Sequence, residues 1–324
     1  MPSASVFRPV DQVPDGCEIT SVAAAWETSY IVFSQDGRDD ILMSMGGDDF
    51  GDLGVGGNKN RGDGKGGSIH VVDLITPIGS VTRGTLKVSE LVAGPHHVVV
   101  RLNFIDSVGH PAQKLVGWGA SRHGQLGVIS RAITSPVEIQ PPQSQSCITQ
   151  IALGNQHTTL CHSDGLVTAL GSNRKGQLND ISSLRSVSAV QCTWNGTIAV
   201  ISDDCTFVVS SSGMNEAGQL GHPNGEPGFA PVDLPLDGKL AQTIVCGSEH
   251  TLVILKSVDG RGEVWGWGWN EHGNLGTGDT SNIRTPTRLW PPLDGEMTVG
   301  VEPVASWAGC GTSWILCVRE ISLP

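Results

Sequence analysis

One short phrase recurs five times along the chain and constrains its fold more than any other feature. The copies are Gly46-Gly47-Asp48-Asp49-Phe50-Gly51-Asp52-Leu53-Gly54, Gly119-Ala120-Ser121-Arg122-His123-Gly124-Gln125-Leu126-Gly127, Gly171-Ser172-Asn173-Arg174-Lys175-Gly176-Gln177-Leu178-Asn179, Gly213-Met214-Asn215-Glu216-Ala217-Gly218-Gln219-Leu220-Gly221 and Gly268-Trp269-Asn270-Glu271-His272-Gly273-Asn274-Leu275-Gly276. Copies spaced by roughly 40 to 75 residues are the mark of a repeat architecture. Glycine and asparagine tolerate positive φ, so each copy reads as a tight turn.

A second phrase alternates with the first: Gly94-Pro95-His96-His97, Gly154-Asn155-Gln156-His157-Thr158 and Gly247-Ser248-Glu249-His250-Thr251. Degenerate copies stand at Ala25-Trp26-Glu27-Thr28, Thr193-Trp194-Asn195-Gly196 and Gly309-Cys310-Gly311-Thr312. Each comes after a short apolar run, such as Ile148–Leu153 or Leu240–Cys246, and leads into another, such as Thr251–Leu255. Short apolar runs between Gly/Asp/Asn turns predict antiparallel meanders of about four strands per unit. Such units repeated radially make a β-propeller, which protects its sheet edges. The expected fold is therefore all-β, with residues 1–324 forming a single propeller domain of six blades, a degenerate seventh being left open.

The paired phrases Gly-x-x-His-Thr and Gly-x-Asn-x-x-Gly-Gln-Leu-Gly resemble the repeat of the regulator of chromosome condensation family, over nearly the whole chain. The opening residues Phe7–Pro14 match the segments just after Gln-Leu-Gly in other repeats (Ser135-Pro136-Val137, Thr285-Pro286-Thr287), while the chain ends on a second-strand phrase, Trp314-Ile315-Leu316-Cys317. A ring closed through these ends lacks one Gly-x-Asn-x-x-Gly-Gln-Leu-Gly segment, so the expectation is a missing N-terminal strand segment.

Charge and composition narrow the function. A net charge of −12 argues against nucleic-acid binding, which needs a basic patch. No apolar run approaches ~18 residues, so no membrane-spanning helix is expected, and Met1-Pro2-Ser3-Ala4-Ser5 has no signal-peptide pattern. Cys161, Cys192, Cys246 and Cys317 sit in apolar runs and read as small buried side chains of a reducing compartment, the cytoplasm with the nucleus as a second location.

Chemistry is hard to find. The recurrence of His97, His157 and His250 at one place in the unit reads as structural, each imidazole bonding backbone near the strand turn. Residues 56–68 depart from the Walker A spacing, and Asp48, Asp49 and Asp52 lack a calcium-loop pattern. Without a Gly-x-Ser-x-Gly elbow, a metal-ligand spacing or an acid–base pair, the chain is expected to be non-catalytic and to carry no metal or other cofactor.

Asymmetry between repeats points to a binding face instead. Trp269 stands where its siblings are Gly47, Ala120, Ser172 and Met214. Trp26 and Trp194 stand where siblings are Pro95, Asn155, Ser248 and Cys310. Both turns fall at the same end of a meander, so Trp26, Trp194 and Trp269, with Glu271 and His272 beside the last, form the expected partner surface. Trp118, Trp267 and Trp314 align with strand-core positions.

Within the family, the basic tail of the nucleotide-exchange members and the Gly-Trp-Arg-His-Thr motifs of the plant ultraviolet receptors are absent. Length, layout and the phrases Trp265–Asn274 and Trp307–Trp314 are similar to the fungal alpha-tubulin suppressor group. That resemblance implies a heterodimer with a small zinc-binding protein of diphthamide synthesis and, through it, support of Elongator-dependent wobble-uridine modification of transfer RNA. The alternative is guanine nucleotide exchange on a small GTPase.

Overall fold

The computed structural model describes residues 14–56, 69–142, 146–202, 207–222, 228–292 and 300–319. The opening segment up to Val13 and most of the glycine-rich stretch 56–68 lie outside them. The described chain is a series of antiparallel meanders, whose strands coincide with the apolar runs and whose turns coincide with the repeated phrases.

Two compact units divide the chain, Met1–Ala120 with Ala132–Ile139, and Ser121–Arg131 with Gln140–Pro324. The first holds two four-stranded sheets. One is β1 (Glu18–Ala24), β2 (Thr28–Ser34), β3 (Ile41–Gly46) and β4 (Ile69–Val71). The other is β5 (Lys87–Ala93), β6 (His97–Ile105), β7 (Pro111–Ser121) and β8 (Ser130–Ile139). Its core joins Tyr30, Leu42, Val98, Val100, Val116 and Trp118.

The second unit holds three further meanders and a hairpin. They are β9 (Ile148–Leu153), β10 (His157–His162) and β11 (Val167–Gly171); β12 (Val187–Thr193), β13 (Gly196–Ser202), β14 (Phe207–Gly213) and β15 (Ala230–Pro231); and β16 (Leu240–Cys246), β17 (His250–Lys256), β18 (Gly262–Gly268) and β19 (Ile283–Trp290). The hairpin is β20 (Val301–Ala308) with β21 (Ser313–Arg319).

The first glycine of the repeated phrase ends the third strand at positive φ, as at Gly268 (φ +107), where a Cβ would lie 2.8 Å from the His250 Cα. Only glycine lets the third strand turn so close to the second. The asparagine two residues later accepts the amide of the phrase's leucine, Asn173 Oδ1 from Leu178 at 2.8 Å and Asn270 Oδ1 from Leu275 at 2.8 Å. The glutamine side chain closes the same loop, Gln177 Oε1 accepting from the Lys175 amide at 2.8 Å and Gln219 Oε1 from that of Ala217 at 2.8 Å. Leu53, Leu126, Leu220 and Leu275 are buried. The phrase is thus a self-capped loop that inserts one leucine into the core.

The histidines are structural, but they act between sheets rather than within a turn. His157 Nε2 pairs with Thr197 Oγ1 of β13 at 3.1 Å, and His250 Nε2 with Ser313 Oγ of β21 at 3.0 Å. Each imidazole also lies against the glycine three residues earlier, Gly154 or Gly247, where a Cβ would overlap the ring. The Gly-x-x-His spacing is that contact. Thr197 is buried in it, so the Asn195-Gly196-Thr197 sequence has an internal structural role.

Trp118 and Trp267 are fully buried, as their alignment predicts, and their indole N–H groups donate to the carbonyls of Asp52 (2.8 Å) and Gln219 (3.1 Å) in the preceding repeated phrase. Trp314 departs from its alignment. Its siblings Tyr30, Thr159 and Leu252 are fully buried, yet Trp314 is 68% exposed, facing Trp307 across the β20–β21 hairpin. Leu252 is covered because β18 and β19 complete its sheet; among the described residues no third strand pairs with β21.

Cys161 and Cys192 are buried, whereas Cys246 and Cys317 are only partly so. Every cysteine among the described residues is unpaired, and burial pushes the Cys192 and Cys246 thiols up to about 12, so they act as small apolar side chains.

Candidate functional site

The two turn types lie at the same end of each sheet, and main-chain hydrogen bonds fix this. The amides of Gly47, Ala120, Ser172, Met214 and Trp269 donate to the carbonyls of Glu27, His96, Gln156, Asn195 and Glu249 respectively, at 2.7–3.0 Å. The alignment of Trp269 with its four siblings is thereby geometric as well as textual.

In the second unit, successive first turns are also linked to each other. The Asn155 amide donates to Trp194 O (2.9 Å), the Trp194 amide to Ser248 O (2.7 Å) and the Ser248 amide to Gly309 O (3.2 Å). Trp194 is therefore bound to the carbonyl of Ser248, and Trp269 to that of the next residue, Glu249. One turn, Ser248-Glu249, thus anchors the main chain at both tryptophans. Trp194 and Trp269 are each partly buried.

Trp269 packs beside His272, with ring centroids 4.8 Å apart. The pair packs against the backbone of Gly311, where a Cβ would meet Trp269 Cζ3 at 3.5 Å and His272 Cγ at 3.9 Å, ordinary van der Waals contacts. Glu271 and His272 are exposed. His272 also lines a groove of about 380 Å³ with Leu252, Leu275, Leu289, Gly311 and Trp314.

Sequence reasoning missed Glu249. Burial, with repulsion from Glu216 and Glu271 added, raises its carboxyl above the usual range, while Asn195 and Lys175 act in the opposite direction. Of its siblings Glu27, His96, Gln156 and Asn195 only Glu27 is also a carboxylate, so the repeat alignment does not single it out and the pairing of the two turns does.

Trp26 belongs to the first unit. It is 56% exposed on the β1–β2 turn, and its amide donates to Pro95 O at 3.0 Å. Its ring lies 6.3 Å from that of His96, which in turn lies 4.5 Å from Phe50. Neither Phe50 nor His96 was singled out from sequence, since the contact joins three separate turns.

Asp52 occupies the position of Gln125, Gln177, Gln219 and Asn274 in the other copies and is 4% exposed. Burial pushes its carboxyl up to about 7; Asp48, Asp49 and Glu27 reinforce the rise, and the Phe50 amide opposes it. Between the unfolded value of 3.8 and about 7 the folded state holds a proton that the unfolded chain has released. Stability therefore falls as pH rises through that window. Asp52→Asn, the residue of the fifth copy, is expected to raise the unfolding free energy by about 1–3 kcal/mol above about pH 7. The gain should shrink towards about pH 4, which urea titrations across this range would show.

No cluster of three or more His, Cys, Asp or Glu side chains among the described residues is placed to hold a metal ion. The site's means are one exposed and two partly buried indoles, carboxylates and main-chain-fixed turns, which suit it to docking another molecule.

Comparison with known proteins places this arrangement. Two repeat profiles, both described as "Regulator of chromosome condensation (RCC1) repeat", match residues 114–161, 211–254 and 261–318, and residues 148–177; together they span about half the chain. The ultraviolet-B receptor UVR8 of Arabidopsis thaliana is 26% identical over 321 residues, covering 94% of this chain and 64% of the receptor. The human RCC1 domain-containing protein 1 is 26% identical over 226 residues, covering 68% of this chain and 55% of that protein. The chain thus spans less than two thirds of either relative. Among solved structures, human WBSCR16 superposes with a TM-score of 0.71 at 19% identity, covering 97% of this chain and 75% of that one. Prp20p of Saccharomyces cerevisiae superposes at 0.57 and 18%, covering 94% and 83%. The sheets described above are those of an RCC-type β-propeller, and the chain belongs to the regulator of chromosome condensation (RCC1) repeat family.

Proposed function

We propose that the chain is a non-catalytic docking scaffold, a single propeller domain whose turns present tryptophans to a protein partner. The observation that carries this reading is the Ser248-Glu249 turn, whose adjacent carbonyls accept the main-chain amides of both Trp194 and Trp269. A partly buried indole on a rigid turn is a favoured interface anchor, because little side-chain freedom is lost on binding. Trp26, Trp194, Trp269, Glu271 and His272 are the contact residues under this reading.

The partner proposed is a small zinc-binding protein of diphthamide synthesis, in a cytoplasmic heterodimer with a nuclear pool. Its support is the similarity of Trp265–Asn274 and Trp307–Trp314 to the fungal alpha-tubulin suppressor protein. The metal and redox chemistry would belong to the partner and its enzymes, with Elongator-dependent transfer-RNA modification downstream. Mixing the two purified proteins should give a species eluting ahead of either alone in size-exclusion chromatography. Separate elution at concentrations of about 10 μM excludes a partner of micromolar or better affinity.

A second reading, nucleotide exchange on a small GTPase, draws on the fold shared with Prp20p, a protein whose binding to Gsp1p has been described. It predicts faster release of a fluorescent nucleotide from a GTPase of that class, whereas the scaffold reading predicts an unchanged rate.

A further inference from the structure

The first unit carries a surface that the second does not repeat. Trp26 and Glu27 come from the β1–β2 turn, Asp48, Asp49 and Phe50 from the loop after β3, and His96 from the β5–β6 turn. The Trp26 amide to Pro95 O and the Gly47 amide to Glu27 O (2.8 Å) hold these three segments together. Glu27 folds across Gly47, where a Cβ would lie 2.6 Å from Oε2, which sets its carboxylate beside Asp48. Trp26, Glu27, Asp48 and Asp49 are exposed.

Among the described residues, no cation forms an ion pair with this negative charge. The cations of this unit that form ion pairs do so elsewhere: Lys87 with Asp40, Arg101 with Glu90 and Lys114 with Glu138. Among the described residues none pairs with Glu27, Asp48, Asp49 or Asp52. Asp52 is nine-tenths buried in the same loop, and its Oδ1 accepts no hydrogen bond among the described residues. Burial holds His96 below its usual range despite Glu27 and Asp49, so at neutral pH the imidazole adds no positive charge.

These features select the ligand class. The carboxylates are too dispersed to ligate a metal ion, and they repel phosphate. An exposed indole flanked by an acidic rim instead matches a guanidinium or ammonium group, which stacks on the ring while its N–H donors meet the carboxylates.

We propose that the Trp26–Phe50–His96 patch, rimmed by Glu27, Asp48 and Asp49, docks an Arg or Lys side chain of a basic segment in a protein partner. The proposal rests on the docking-scaffold reading and deepens it, but it does not depend on the zinc-binding partner.

The test uses the full chain and a fluorescein-labelled peptide of alternating Arg and Gly, with affinity read by fluorescence anisotropy at two ionic strengths. Trp26→Ala should weaken binding by about five- to ten-fold. The double variant Asp48→Asn/Asp49→Asn should weaken it similarly and flatten its salt dependence. Asparagine at position 48 is the residue of three other copies, so the loop retains its cap on Leu53. A charge-matched control, Asp164→Asn/Asp259→Asn in exposed turns of the second unit, should bind as the unaltered chain does. No binding by the unaltered chain, an unchanged affinity for folded Trp26→Ala, or equal weakening by the control would each overturn the proposal. Because the peptide is the probe, failure with the zinc-binding protein would leave this result standing, and the reverse holds as well.

Discussion

Trp267→Ala is expected to lower the unfolding free energy by about 3–5 kcal/mol, the range for emptying a buried tryptophan site. Trp267 is fully buried among Ile198, Val209, Val253 and Leu255, and its Nε1 donates to Gln219 O at 3.1 Å. The substitution leaves a cavity and deprives a buried carbonyl of its donor. The effect has a built-in check. Gly221 lies against the indole at φ +74, and a Cβ there would be 2.8 Å from Trp267 Nε1. Gly221→Ala alone should destabilise through both the clash and the backbone strain. In the double variant the clash disappears, so urea titrations should give a combined loss smaller than the sum.

Acid is expected to weaken the second unit. Burial holds His157 and His250 at about 4, against the ordinary 6.5. The folded state thus excludes a proton that the unfolded chain takes up below 6.5. Stability present above that value is lost as pH falls through the window to about 4. Each histidine contributes on the order of 2–3 kcal/mol of this loss. Unfolding titrations at about pH 7 and about pH 4.5 should show a steep decline, and His157→Gln/His250→Gln should flatten it at some cost in neutral stability. Asp52 acts in the opposite direction over the same range, so Asp52→Asn should steepen the decline. An unaltered slope in the double histidine variant would contradict the inter-sheet role assigned to these residues.

The sequence was most informative where structure depends on short-range chemistry. Ile148–Leu153 and Leu240–Cys246 are strands with the expected bounds, each ended by the glycine of the next phrase, Gly154 or Gly247. The alignment of Trp118 and Trp267 with core positions held, since their repeat units are complete. The same alignment failed at Trp314. Burial of a second-strand residue requires the third strand and its leucine loop, which a residue's own repeat phrase does not encode.

Long-range pairings were equally hidden. That His157 reaches Thr197, and His250 reaches Ser313, is set by how one sheet stacks on the next, not by the Gly-x-x-His phrase. Asp52, which with Asp48 and Asp49 lacks a calcium-loop pattern, is in the structure a carboxyl in a glutamine's place. Trp194 and Trp269 could be singled out by comparison with their siblings, but Glu249, which joins their turns, could not. Phe50 and His96 escaped notice for the same reason, as each looks ordinary within its own repeat.

The central claim is that partly buried tryptophans on linked turns make this chain a docking scaffold. Its most direct test is calorimetric titration of the small zinc-binding diphthamide protein into the unaltered chain and into Trp269→Ala. The account predicts a one-to-one complex of sub-micromolar affinity, weakened about ten-fold or more by the substitution. Absence of heat with a folded chain, or an affinity that Trp269→Ala leaves unchanged, would contradict it.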